Sequence, residues 1–320
     1  MNNRIIATKI PVVALIVLLL AIPFIFGLYL LHLVMGIYIY IILSIGLGIL
    51  TKTGQVSIGQ AAFFGLGAYA SAVVCNFAGM NIALEFLMAL LVPLLFSLLL
   101  GYITLRLKGI YFSIATLAFT ETLLVVAMME RKVIGGATGL AVPPLFRNNL
   151  YANYYLCLAI MLISFIISWL SSRSKIGYAS IVLKNDERLA NVIGINPTRY
   201  KIIAFGLSAM VSGMAGFFYV HYVTFIVPNE VFNMSTSVAI LAMTIFGGAY
   251  SLVGPVIGAL VLKIVEEFLR LNITYGHLIG YGIILIIGIL FMPNGIVGLW
   301  NRYVKSKAGV KTVENKQHDT

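Results

Sequence analysis

Residues 173–201 read RSKIGYASIVLKNDERLANVIGINPTRYK, a polar run set between two long apolar ones. Most of the chain has the opposite character: of 320 residues, 61% are hydrophobic and 10% charged, with a mean hydropathy of +1.04. Soluble domains carry about 25% charged residues, so an ordinary soluble fold is excluded. A helix crossing the hydrocarbon needs about 20 largely apolar residues, because backbone N–H and C=O groups there can bond only to one another. The chain supplies such runs repeatedly. The fold this predicts is all-α, a polytopic transmembrane helical bundle.

About ten spans are expected, near 11–31, 36–50, 60–79, 85–104, 110–129, 152–171, 202–222, 236–248, 256–270 and 278–298. Those at 36–50, 236–248 and 256–270 are short for a bilayer. Arg4 and Lys9 before an apolar run also suit a signal peptide, but the run is long and ends without a small-x-small cleavage site, so it is read as a span. The organisation is then a segment 1–10, a membrane domain 11–300 with its polar loop at about 172–201, and a polar tail 301–320.

Charge sets the sidedness. With the N-terminus in the cytoplasm, an even number of spans returns the C-terminus to the same side. That side then holds Arg4, Lys9, Lys52, Arg106, Lys108, the basic residues of the 173–201 insert, and Arg302, Lys305, Lys307, Lys311 and Lys316. The far side keeps Arg131, Lys132, Arg147 and Arg270. Short cytoplasmic loops carry the excess of Lys and Arg, so both termini and the insert are cytoplasmic. The net charge of +11 is accounted for by this asymmetry. No basic patch interleaved with aromatics supports nucleic-acid binding.

Within the insert, Asn185 or Asp186 can cap a helix, and Asp186 and Glu187 suit its positive end. Glu187, Ala190 and Gly194 fall at i, i+3 and i+7, on one face. Gly194 is a natural stop, with Pro197 beyond it. Spacing alone fits an amphipathic connector as well as a docking surface. Glu187-x-x-Ala190-x-x-x-Gly194-Ile195 resembles the EAA-type coupling loop of bacterial ABC importer permeases. Five further segments resemble the longer, M-type permease of branched-chain amino-acid transporters: GQVSIGQAAFFGLGAY (54–69), RLKGIYFSIATLAFTE (106–121), GGATGL (135–140), GGAYSLVGPVIG (247–258) and FMPNGIVG (291–298). They run in family order from about residue 36 to 300.

The resemblance implies an importer permease in a bacterial plasma (inner) membrane. It implies two cytoplasmic ATP-binding subunits that hold the ATP and Mg, a homologous second permease subunit and an external substrate-binding protein, with no cofactor bound by this chain. Asp186, Glu187, Ala190, Gly194 and Ile195 then become the ATPase-coupling contact. Two positions depart from the family: Gln60 stands where histidine is common, and Asn185 where an acid is common. The first leaves cargo open, since urea and short-amide permeases share the framework.

Other residues carry two readings each. Gln55, Ser57 and Gln60, between spans of opposite direction, suit either a translocation path or helix packing. Gly65, Gly67, Gly247, Gly248, Gly254 and Gly258 suit close helix approach. Glu121 lies mid-span, where an ionisable group is costly and marks function by default; a bridge to Lys263 is the structural alternative. A secondary transporter working alone, coupled through Glu121 and Lys263, is the rival class. No Gly-x-x-x-x-Gly-Lys-Ser/Thr occurs, and no Gly-Lys pair at all, so ATP hydrolysis is not expected of this chain. No nucleophile elbow or metal-spaced Cys/His set appears, and Cys75 and Cys157 stand alone.

Overall fold

The computed structural model describes residues 19–24, 27–107, 109–146, 149–272, 277–292 and 295–299. The expected segments 1–10 and 301–320, and residues 11–18 and 25–26 of the first span, lie outside the described residues; residues 19–24 are helical. The chain then runs α1 (Leu28–Thr51), α2 (Gln60–Ala78), α3 (Ile82–Thr104), α4 (Ile110–Met129), α5 (Arg131–Ile134) and β1 (Leu140–Ala141). There follow α6 (Leu150–Arg173), α7 (Lys175–Asn185), α8 (Glu187–Val192), α9 (Pro197–Val223), β2 (Phe225–Ile226), α10 (Pro228–Val231), α11 (Met234–Gly247), α12 (Gly254–Asn272) and α13 (His277–Phe291). Helices make up the fold, with one two-residue ladder that pairs Leu140 with Ile226 and Ala141 with Phe225.

Several span boundaries move. The short span at 36–50 is the second half of a 24-residue helix, and residues 28–31 belong to it rather than to the span before. At 1.5 Å per residue such a helix is about 36 Å long, enough to cross. The short span at 236–248 gains length because α10 leads directly into α11; Asn233 caps α11 by accepting from Ser235 N at 2.8 Å. Among the described residues, 7 helical segments are long and apolar enough to cross a membrane. Of the other expected spans, α12 carries Lys263, Glu266, Glu267 and Arg270, and α13 is 15 residues long.

Helix α9 is the centre of the bundle, packed against α1, α2 and α3. Its buried face is built of small residues, among them Ser208, Ala209, Ser212, Gly213, Ala215 and Gly216. Lipid offers apolar side chains no penalty to escape, so helices associate by close packing, and small residues permit it. A Cβ on Gly67 would sit 2.5 Å from Gly213 Cα, and one on Gly213 would sit 2.0 Å from the Ala89 carbonyl oxygen. Three backbones meet at that point. The turn between α11 and α12 is equally tight: a Cβ on Gly247 would lie 1.8 Å from Gly254 O, and one on Gly258 1.9 Å from Met243 O. Gly248 in that turn has φ +117°, and Gly65 gives its space to the Phe232 ring. Helices α3, α4 and α6 turn apolar residues such as Leu95, Leu99, Ile114, Val126 and Ile166 outward.

Near the end of the bundle opposite the insert, α2, α3 and α9 are joined by a buried polar cluster. Glu85 Oε2 meets His221 Nε2 at 2.6 Å, both side chains being almost fully buried, and Ser71 Oγ lies 3.3 Å from each. His221 Nδ1 is 3.1 Å from the Pro143 carbonyl, so one ring nitrogen faces that carbonyl and the other faces Glu85. Val142 N donates to Thr224 O at 2.8 Å, which continues the β1–β2 ladder. His221 thus ties three spans to the 135–146 loop. Glu85 carried no signal beyond its place near a span start.

Leaving one member of a buried hydrogen-bonded pair without its partner costs about 1–3 kcal/mol, and more if the group is charged, whereas replacing both partners by apolar residues of similar shape can be nearly neutral. Glu85→Ala is therefore expected to lower the thermal midpoint of the detergent-solubilised protein strongly. Glu85→Leu combined with His221→Leu should recover most of the loss in the same assay. A double variant as unstable as the single one would contradict this account of the cluster.

Candidate coupling and translocation sites

The polar insert folds as two helices joined by a sharp bend. Ser174 caps α7, its Oγ accepting from Ile176 N at 3.2 Å. Asp186 is extended between α7 and α8, and its Oδ1 accepts from Arg188 N at 2.7 Å and Leu189 N at 3.4 Å. Of the two expected caps, Asp186 fills the role at α8 and Asn185 closes α7. Gly194 ends α8 with φ +81°, and Ile195 N donates back to Ala190 O at 2.8 Å. That geometry suits glycine, since a Cβ at positive φ crowds the following carbonyl. Asn196 then caps α9 by accepting from Arg199 N at 3.1 Å, with Pro197 in its first turn.

The face expected to meet a partner is turned partly inward. Ala190 is fully buried, so its small side chain seats α8 on its own chain and presents nothing outward. Glu187 forms an ion pair with Lys201, whose side chain is 2% exposed. Lys201 had been read only as one more basic loop residue. The outward face of the bend is apolar instead: Leu189 is 53%, Val192 83% and Ile193 56% exposed. Helix period alone assigns residues to a face without saying which face is covered, and the anchoring cation lies in the next helix.

Between α1 and α2 the chain makes a turn at 52–54 and then runs without regular structure to Gly59, with Thr53, Gln55, Ser57 and Gly59 buried in alternation. Period two places them on one side. Ser113 Oγ donates to Val56 O at 2.6 Å, and Ile58 N donates to Thr116 Oγ1 at 3.2 Å, so the start of α4 holds this segment. Gln60, at the first turn of α2, donates from Nε2 to Ser208 Oγ at 3.1 Å and also to Ser212 Oγ. Ala61 N donates to Ser237 Oγ at 3.0 Å. Ser208 and Ser212 lie some three to four turns into α9, about 17–23 Å along its axis, close to the middle of a ~30 Å core. Irregular backbone and a helix start therefore sit at membrane depth, where they survive only inside protein or beside a cavity. Gln55 Oε1, Gln60 Oε1 and Ser44 Oγ are buried without a hydrogen-bond partner. The serines at 208, 212 and 237 are the functional candidates missed in the sequence, where the only signal was an i, i+4 pair.

Glu121 is not gathered into this site. It is exposed on α4, a helix with few contacts to the rest of the chain. The expected bridge to Lys263 is not formed: Lys263 pairs with Glu266 at 2.9 Å and lies 4.1 Å from the Tyr40 ring centroid. Among the described residues no group of three or more His, Cys, Asp or Glu is placed to hold a metal. Between α2, α3 and α4 there is an apolar cavity of about 320 Å³, bordered by Leu66, Tyr69, Met88, Phe96 and Phe232.

Comparison with known proteins places these features. Residues 29–292 match the family model described as branched-chain amino acid transport system / permease component. The chain is 26% identical to the high-affinity branched-chain amino acid transport system permease protein LivM of Salmonella typhimurium, over 94% of this chain and 77% of that one. It is 20% identical to the probable LivM of Methanocaldococcus jannaschii, over 73% and 77% of the two chains. It is 24% identical to the autoinducer 2 import system permease protein LsrC of Yersinia pestis, over 73% and 67%. No solved structure matches. A bundle of apolar helices, a polar two-helix insert and a model match over most of its length assign this chain to the branched-chain amino acid transport system permease family, as a multi-pass membrane permease component of an ABC transporter.

Proposed function

We propose that this chain carries branched-chain amino acids across a bacterial plasma membrane, driven by ATP hydrolysed on two cytoplasmic partner subunits. The observation that carries the mechanism is the capped α7–α8 bend with its exposed apolar tip. Leu189, Val192 and Ile193 would enter a groove on the ATPase, while Asp186, Glu187, Ala190, Gly194 and Ile195 hold that tip in shape. The Glu187–Lys201 pair joins α8 to α9, the helix at the centre of the bundle. Movement of the ATPase groove would thus be delivered to α9 without loss in a flexible loop. Both termini would lie on the same cytoplasmic side as the insert, by the distribution of Lys and Arg.

The proposed path runs past Gln55, Ser57 and Gln60; the unpartnered Oε1 atoms of Gln55 and Gln60 can accept hydrogen bonds from an ammonium group or water. The cavity beside Tyr69 offers apolar surface to a branched side chain. Glu121 would face a homologous second permease subunit rather than lipid, since an unpaired carboxylate in hydrocarbon is costly. An external binding protein would deliver the cargo. Because LsrC is named for a different cargo, and urea and short-amide permeases share the framework, cargo choice is the finer part of this reading.

Reconstituted with its partner subunits, the permease should take up leucine only when ATP is present, and vanadate should stop it. Uptake driven by an ion gradient and indifferent to ATP would overturn the reading. Leu189→Asp with Val192→Asp should cut uptake at least about tenfold, since placing charge in an apolar contact costs roughly a few kcal/mol, while membrane insertion stays normal. Glu187→Lys should lower uptake similarly by setting two cations together. The exchanged pair Glu187→Lys with Lys201→Glu should restore part of it; equal loss in the single and exchanged variants would show that the pair is not what links α8 to α9.

A further inference from the structure

A second polar site lies beside the insert. A cavity of about 270 Å³ is bordered by Lys52, Ser172, Lys184, Asn185, Tyr250 and Leu252 among others, where α1 and α6 end and α7 passes the turn between α11 and α12. Lys52 Nζ donates to Ser172 Oγ at 2.8 Å, and Ser172 Oγ donates in turn to Ser168 O at 2.8 Å. Lys184 Nζ sits 3.2 Å from the Tyr250 ring centroid. Neither lysine has a carboxylate in ion-pair range among the described residues. The neighbouring acids are committed elsewhere, Asp186 to the α8 cap and Glu187 to Lys201.

The other polar side chains at the cavity are also spoken for. Ser180 Oγ donates to Ile176 O at 2.7 Å, and Asn185 Nδ2 to Ile181 O at 3.1 Å. The ammonium groups of Lys52 and Lys184 therefore supply the free donor capacity, since an ammonium carries three N–H bonds. Burial pushes the Lys52 ammonium down to about 8, which leaves it mostly charged at neutral pH and short of a counter-charge. Two lysines bordering one cavity, neither with a carboxylate in ion-pair range, are complementary to a compact oxyanion. The apolar part of the lining, Ile181, Tyr250 and Leu252, suits a ligand that is anionic at one end only. The level is that of lipid headgroups, at the ends of two spanning helices.

We propose that this cavity binds the phosphate of an anionic phospholipid, held by Lys52 and Lys184, and so seats a lipid between the bundle and the coupling insert. The inference rests on the insert's side facing a membrane surface, and the test uses vesicles symmetric in lipid so that it does not depend on which surface. The full transporter complex is exchanged into vesicles of phosphatidylcholine with a minor share of phosphatidylglycerol, purified, and its retained lipids counted by native mass spectrometry. Phosphatidylglycerol should be retained over phosphatidylcholine. Lys52→Met, which keeps the apolar stem, should lower that retention about fivefold, and Lys184→Met by a similar factor. A second measurement compares the thermal midpoint of the complex with phosphatidylglycerol, phosphatidylcholine or inorganic phosphate added; phosphatidylglycerol alone should raise it, and only with both lysines present. Equal protection by inorganic phosphate would overturn the lipid source. Retention unchanged in both lysine variants would overturn the site. Selectivity that is absent in the complex and appears only once the ATPase subunits are removed would overturn the lipid site in the assembled transporter and reassign the lysines to a carboxylate of that partner. None of these outcomes is read through transport, so the lipid site can fail while the transport reading stands.

Discussion

The three-way backbone contact of α2, α3 and α9 is the constraint from which most of this structure follows. In lipid, helices gain nothing by hiding apolar side chains from a solvent that is itself apolar, so association depends on how closely the backbones approach. Gly67 and Gly213 allow that approach, with Ala89 on the third side. Once α9 is fixed there, Ser208 and Ser212 are carried to Gln60, and His221 to Glu85. The polar interior and the buried Glu85–His221 contact both depend on a close backbone approach that the absence of side chains at Gly67 and Gly213 permits.

The same helix connects the two ends of the protein. Its first turn is capped by Asn196 and contributes Lys201 to Glu187; its last turns hold His221 and lead into the β1–β2 ladder. A helix resists changes of length, because each residue is tied by hydrogen bonds to those four away. The Glu187–Lys201 pair and the His221 cluster are therefore held at opposite ends of one stiff element. Close packing favours discrete rearrangements over gradual deformation, which suits a carrier that must expose its path to one side at a time.

Legibility varied with the range of the interactions involved. The helical class, the order of the spans, the Gly194 stop and the Asp186 cap follow from local rules, and the described helices agree with them. Span boundaries near residue 28 and around Pro228 were not legible, because hydropathy changes little where one helix ends and another begins. The inward turn of Ala190 and Glu187 was not legible either: a helical period groups residues on a face, but the burial of that face depends on Lys201, 14 positions away. The Glu121–Lys263 bridge failed for the converse reason. Lys263 finds Glu266 three residues on, along its own helix, and has no need of a distant partner.

By itself the sequence determined that the chain crosses a membrane many times, that basic residues gather with the insert, and that no phosphate-binding loop is available to power transport. Those are properties of composition and short-range pattern, set by the cost of unpaired backbone in hydrocarbon and of charge away from water. The tertiary structure decided which residues of the insert face outward, which carboxylate pairs with which cation, and where buried oxygens and unpaired lysines remain. Each of these depends on side chains from helices far apart in the chain, and the small-residue contacts that bring those helices together have no periodic signature of their own.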